Sequence, residues 1–356
     1  MMLNARRQVW AIGFALAPAA AAAGQLATGV VVDPQRGAAY VMSATGLESV
    51  DVMTGRTVWS TAQATRPIAS YAGRLLAQAG GTDLGRLRLV ILDAERGRLL
   101  REALLDLPSG AEARIDDRPG SLFRIEVEQA GPHVDLRWTS ERRQLQGVMP
   151  EDDDPEAVRR FGGRVDVDLA AAVIEARQGG LPDPGLVSLP AGLAREAETG
   201  AFRERPQRMG ALFVATQEVP QEGGRVLVLR RWDAQGVPLP ALPVPDGVTL
   251  QLASDDGAFV LLSRRLRGAP PGESHLWTVL SLDSGVSVAE LHAGTAAARF
   301  GIARGRVLYM ELPGGHRDGA AWTERPLSLR AAAAAGGATA WSRRVRDTAW
   351  RGRWVP

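Results

Sequence analysis

The sequence predicts an all-β chain whose strands are grouped in fours and stacked as the blades of a β-propeller. Three observations carry that expectation. Glycine and proline are abundant, at 40 and 22 of 356 residues, which supplies the turns that many short strands require. Past Gly24 no long amphipathic helical period runs through the chain; short β-rich runs bounded by Gly, Pro and Asp take its place. Those runs also keep a fixed order that repeats: apolar strand, second strand, strand ending in an acidic residue, turn, final strand.

The N-terminus reads differently. Arg6 and Arg7 precede the apolar run Val9 to Ala17, and Pro18 leads into small residues ending Ala21-Ala22-Ala23-Gly24. This is the three-part layout of a secretory signal peptide with a cleavage site after Ala23. The apolar run is short for a spanning helix, although an uncleaved anchor is the alternative. Val9 and Trp10 match the flanks of a twin-arginine signal poorly. Residues 1–23 are therefore expected to be removed, and 24–356 to fold in the periplasm.

The first copy of the repeat is Gly29 to Asp33, Ala38 to Ser43, Leu47 to Asp51, the turn Val52-Met53-Thr54-Gly55, and Arg56 to Ser60. The second has Leu87 to Asp93, the turn Ala94-Glu95-Arg96-Gly97, and Arg98 to Arg101. Looser copies follow: Arg164 to Asp168 before Ala172 to Glu175, Arg225 to Asp233 before the turn at Gly236, and Leu276 to Asp283 before Val286 to Glu290. The last runs from Pro326-Leu327-Ser328-Leu329-Arg330 through an alanine stretch and Gly336-Gly337 to Trp341-Ser342. An Asp that bonds the turn backbone and a Gly that supplies positive φ make a tight β-connection.

Repeats of roughly 40–50 residues offering four strands each are what propeller blades require. A single blade cannot hide both faces, and neighbours around an axis bury them. Six copies are legible. The stretch 104–205 is long enough to hold another, so seven blades are expected within a range of six to eight. Insertions are expected near 146–163 and 178–206. A β-sandwich with similar hairpins is the competing architecture, but its strands have no reason to keep one order over six copies.

The run Leu47 to Trp59 and the segment from Leu329 to Ser342 resemble PQQ-like (quinoprotein-type) propeller repeats, whose pattern is Ala-x-Asp-x-x-x-Gly-x-x-x-Trp. Asp51, Gly55 and Trp59 match it in the first copy. Asp93 and Gly97 match it in the second, where Arg101 stands at the Trp position, and Gly337 and Trp341 match it in the last, where Ala333 stands at the Asp position. The resemblance implies that the Trp docks one blade against the next. It covers the two ends of the chain and fades over 104–245.

Catalytic chemistry finds little support. Alcohol-type quinoprotein dehydrogenases, as the resemblance implies, hold PQQ over Ca²⁺ with Glu, Asn and Asp ligands and a vicinal disulfide. Here the one Asn is Asn4, in the leader, and cysteine is absent. All 42 basic side chains are Arg, so there is no lysine for a Schiff base or a P-loop. His133, His275, His292 and His316 are scattered, without a zinc-binding H-E-x-x-H or a nucleophile elbow. No catalytic residue, metal site or cofactor is expected.

The acidic run Glu151 to Asp154 reads as a solvated loop in preference to a cation site. The excursion from Pro182 to Arg205 reads as a second long loop, of the kind that carries binding residues on propeller faces. The tail from Arg343 to Trp354 interleaves Arg with Trp, which suits packing on the final blade better than a membrane surface. A net charge of +2 implies no nucleic-acid field. The sequence therefore points to a non-catalytic periplasmic scaffold with a protein partner in the cell envelope. A divergent PQQ/Ca²⁺ dehydrogenase is the alternative.

Overall fold

The computed structural model describes residues 24–27, 29–115, 121–143, 158–177, 189–209, 212–222, 224–254, 257–311, 314–318, 321–325, 327–335 and 337–346. The expected signal peptide, the acidic run at 151–154, the turn-rich start of the 182–205 excursion and the tail beyond Arg346 lie outside them.

Each copy of the repeat becomes one antiparallel meander. Blade 1 is β2 (Val30–Asp33), β3 (Ala38–Ser43), β4 (Gly46–Asp51) and β5 (Thr57–Thr61), and β1 (Gly24–Ala27) pairs with β2 as a fifth, innermost strand. Blade 2 is β6 (Arg66–Tyr71), β7 (Arg74–Gln78), β8 (Arg86–Asp93) and β9 (Leu99–Asp106). Blade 3 is β10 (Ser121–Ala130), β11 (His133–Arg143), β12 (Val158–Asp168) and β13 (Val173–Arg177). The helix α1 (Ala191–Glu198) follows it.

Blade 4 is β14 (Gln207–Met209), β15 (Leu212–Gln221), β16 (Gly224–Trp232) and β17 (Pro238–Pro243). Blade 5 is β18 (Thr249–Ala253), β19 (Phe259–Arg265), β20 (His275–Ser281) and β21 (Ser287–Ala293). Blade 6 is β22 (Phe300–Ala303), β23 (Arg306–Glu311), β26 (Ser328–Ala333) and β27 (Thr339–Arg344). A separate hairpin, β24 (Gly314–Asp318) with β25 (Ala321–Arg325), is inserted between its second and third strands.

The chain is thus a β-propeller, with six blades among the described residues. That is the lower edge of the expected range, not the preferred seven. The stretch 104–205 holds one blade because its strands are long: ten residues in β10 and eleven each in β11 and β12. The insertion expected at 146–163 overlaps β12 from Val158 onward, and that expected at 178–206 contains α1.

Inner strands are buried on both faces, as Val30-Val31-Val32 in β2 and Leu75-Leu76-Ala77 in β7 show, so they read as unbroken apolar runs without alternation. Separate apolar clusters join blade 1 to 2, 2 to 3, 4 to 5, 5 to 6 and 6 to 1. The contact between blades 3 and 4 is different. No apolar cluster spans it among the described residues. Blade 4 packs Phe213, Ala215 and Trp232 under Leu193 of α1, with Leu189 and Phe202 at the margin.

Blade 3 turns a charged face away from blade 2. Arg124, Glu126 and Glu128 on β10, Asp135, Arg137 and Glu141 on β11, and Arg164 and Asp166 on β12 alternate with the buried Val134, Leu136, Trp138, Val165 and Val167. Asp135 accepts from Arg164 at 2.6 Å and Arg137 at 3.0 Å, and Arg137 also reaches Glu128 at 3.2 Å. Among the described residues this face of blade 3 carries half-buried charges and no apolar cluster. Strict alternation in β10 to β12 leaves one face polar.

Candidate functional site

The matched repeat residues meet at the interfaces between blades. Asp51 ends β4 and accepts from the Thr54 amide at 2.8 Å and its hydroxyl at 2.7 Å. Gly55 closes the turn by donating its amide to the Asp51 carbonyl at 2.8 Å. Asp93 accepts from the amides of Glu95 at 2.9 Å and Arg96 at 3.3 Å, and Gly97 donates to the Asp93 carbonyl at 2.8 Å. Gly55 and Gly97 sit at φ +70° and +68°, where a side chain is disfavoured.

Space as well as φ demands glycine here. A Cβ at Gly97 would lie 2.6 Å from the Trp59 ring, and one at Gly55 would lie 2.7 Å from Trp341. Trp59, on the outer strand of blade 1, lies over the blade 2 turn and donates Nε1–H to the Ala94 carbonyl at 3.0 Å. Trp341, on the outer strand of blade 6, does the same to the Val52 carbonyl of blade 1 at 2.8 Å. Residues 289 apart in sequence are joined by that bond. Gly337 closes the same turn in blade 6, donating to the Ala333 carbonyl at 3.1 Å, and it faces Leu291 of blade 5.

Sequence reasoning missed part of this set. In blade 5 the turn begins at Ser281, two residues before the acidic Asp283. Gly285 donates to the Ser281 carbonyl at 2.9 Å, and the Ser281 hydroxyl takes the place of the Asp carboxylate by accepting from Ser284. The carbonyl one residue past the turn's first residue is claimed by the neighbouring blade in four places. Trp341 and Trp59 hold those of Val52 and Ala94, while Arg74 of β7 holds Leu169 at 2.7 Å and Arg231 of β16 holds Leu282. Two arginines do the work of two tryptophans, and nothing in the repeat pattern marked them. Leu242 fills the ring's slot over Gly285.

Antiparallel meanders sort the connections by end. The first-to-second and third-to-fourth strand turns, such as 72–73, 94–98 and 304–305, gather at one end of the ring and are short. The connections 79–85, 107–120, 144–157, 178–206, 266–274 and 312–327 all leave from the other end, and they include α1 and the β24–β25 hairpin. Among the described residues, two of the grooves at this end are formed by those connections. One of about 320 Å³ lies between 80–84 and 113–115, over the buried Arg66, whose guanidinium donates to Gln78 at 3.1 Å and to the Ile115 carbonyl at 2.9 Å. The other, of about 860 Å³, lies beside residues 264–269 of blade 5.

The histidines remain apart. His133 stands 4.0 Å from Asp168 and His292 3.7 Å from Glu273, both on the surface; His275 shares a 3.0 Å contact with Ser274. His316 is on β24. Among the described residues no three His, Asp or Glu side chains gather as a metal site would require.

No protein-family model and no curated protein matches the chain. Among solved structures it is similar to hydrazine synthase from Kuenenia stuttgartiensis, at 13% identity over 85% of this chain and 80% of that one, with a TM-score of 0.25. It is also similar to the β-propeller domain of the Trilobed protease from Pyrococcus furiosus, at 10% identity, 88% and 78% coverage and a TM-score of 0.29. A third is AtxE2 isopeptidase, at 11% identity and a TM-score of 0.37, covering 92% of this chain and 52% of that one. Scores this low bear on no activity, and the propeller stands on its own strand ladders and docking contacts.

Proposed function

We propose that this chain is an exported periplasmic propeller of PQQ-like repeat type that acts as a non-catalytic scaffold for a protein partner in the cell envelope. The observation that carries the reading is the inequality of the ring's two ends. One end is closed by short turns, whereas the long connections share the other, and loops held by a rigid frame are where binding residues concentrate. The Asp-Gly turn with a docked Trp, in Asp51-Gly55-Trp341 and Asp93-Gly97-Trp59, supports the repeat type. Export rests on the layout of residues 1–23.

Two experiments test it. Fractionation of cells making the full chain is expected to place it in the periplasm, with the leader lost after Ala23. Site-specific photocrosslinkers at Thr82 and Ala269, on the long-loop end, are expected to capture an envelope protein, while the same probes at Gly73 and Gly305, on the short-turn end, are not. Equal capture from both ends would defeat the scaffold reading. So would a quinone absorbance with dye-linked alcohol oxidation after adding PQQ and Ca²⁺.

A further inference from the structure

The larger groove on the long-loop end is lined by Arg264, Arg265 and Arg267, by Thr249, Gln251, Ser263, Ser274 and His275, and by no carboxylate. On other outer surfaces some arginines are paired with carboxylates: Arg86 with Asp106 at 2.8 Å, Arg88 with Glu102 at 2.7 Å, Arg160 with Glu141 at 3.4 Å and Arg330 with Glu311 at 2.6 Å. Among the described residues the three groove guanidiniums have neither an ion pair nor a hydrogen bond. All three are exposed. Arg264 and Arg265 end β19, with Arg265 opposite His275 of β20, and Arg267 follows in the connection between those strands.

Three exposed guanidiniums with no carboxylate in the lining leave an excess of positive charge along this groove. From this we infer that the groove binds a ligand through a phosphate-type oxyanion. Guanidiniums recognise oxyanions by paired N–H donors. Three such forks and the neighbouring hydroxyls offer more donors than the two oxygens of one carboxylate can accept, whereas a multiply charged phosphate group uses them. At about 860 Å³ the groove exceeds a lone phosphate and suits a phosphorylated small molecule or a headgroup. The inference is independent of the scaffold reading.

The test uses the purified full chain and two probes, pyrophosphate by titration calorimetry and vesicles of phosphatidylglycerol against phosphatidylcholine by co-sedimentation. Binding of pyrophosphate alone assigns the site to a soluble phosphorylated ligand; binding of the anionic vesicles as well assigns it to a headgroup. Either supports the oxyanion site if Arg265→Gln and Arg267→Gln each weaken binding about tenfold. Arg160→Gln, which removes the same charge from blade 3, is the comparison and is expected to leave affinity unchanged. Unaltered thermal melts of the groove variants would show that they fold. The proposal is overturned if neither probe binds, or if Arg160→Gln weakens binding as much as the groove variants do.

Discussion

Single carboxylates at the turns do more than fit a pattern. Asp51 is held below the ordinary carboxylate range first by the Thr54 hydroxyl and then by the amides of Thr54 and Met53. Asp93 is lowered first by the Glu95 amide and Asp168 first by the Ala171 amide. A depressed folded pKa adds stability above the unfolded value and loses it as pH falls through the folded one, so these turns weaken below about pH 4. Thermal melts from pH 6 to pH 2 check the sign. Asp93→Asn keeps an acceptor but cannot titrate, so it is expected to melt below the parent at pH 6 and to converge with it by about pH 2. A constant gap across that range would show that the charge on Asp93 contributes nothing.

At the scale of one turn, shape and conformation can be separated. Gly97 has φ +68° with Trp59 packed against it, while Gly131 has φ +60° with nothing within 4 Å of an added Cβ. Gly131→Ala is expected to cost about 1 kcal/mol, the left-handed strain alone. Gly97→Ala must also displace Trp59 and break its bond to Ala94, for a total of roughly 3 kcal/mol. Denaturant melts showing equal losses would mean that the Trp is not docked there.

This slot also explains how much was legible in the sequence. Asp51, Gly55, Trp59 and Trp341 stood out because Asp and Trp are chemically distinctive. Leu242 and Leu291, which face Gly285 and Gly337, are indistinguishable in sequence from any core leucine. Arg74 and Arg231 act from second and third strands, outside the repeat's motif positions, and Ser281 hides because a hydroxyl replaces the carboxylate. The acidic residue two places on then set the expected turn too late. The expected six to eight blades includes the six described, and the preference for seven within that range has a related reason, since strand length was not visible across β10 to β12. Their alternation of charged and apolar residues was visible, and it marks a sheet with one wet face.

Across the whole molecule, that wet face changes what the ring is. Stability in a repeat array is close to a sum of unit and neighbour terms, and end units need a polar outer face or a cap. Five apolar interfaces link the blades in the order 4, 5, 6, 1, 2, 3, with blades 3 and 4 as the two ends. Blade 4 is capped by Leu193 of α1. Blade 3 ends in the half-buried paired charges around Asp135, and replacing dry apolar burial by ion pairs gains little net stability because each charge must first shed water. Blade 3 is therefore the unit that opens first. Native-state hydrogen exchange is expected to show its β11 and β12 amides exchanging through a local opening, well below the global free energy, while β3, β4 and β8 exchange only on global unfolding. Trp341→Ala, which cuts the array in its middle at the blade 6 to blade 1 contact, is expected to lower protection in blades 6 and 1 and to leave the opening of blade 3 unchanged. Uniform protection over all blades would mean that the ring is sealed on every side, with the charged face of blade 3 bearing on blade 4 as firmly as any dry interface.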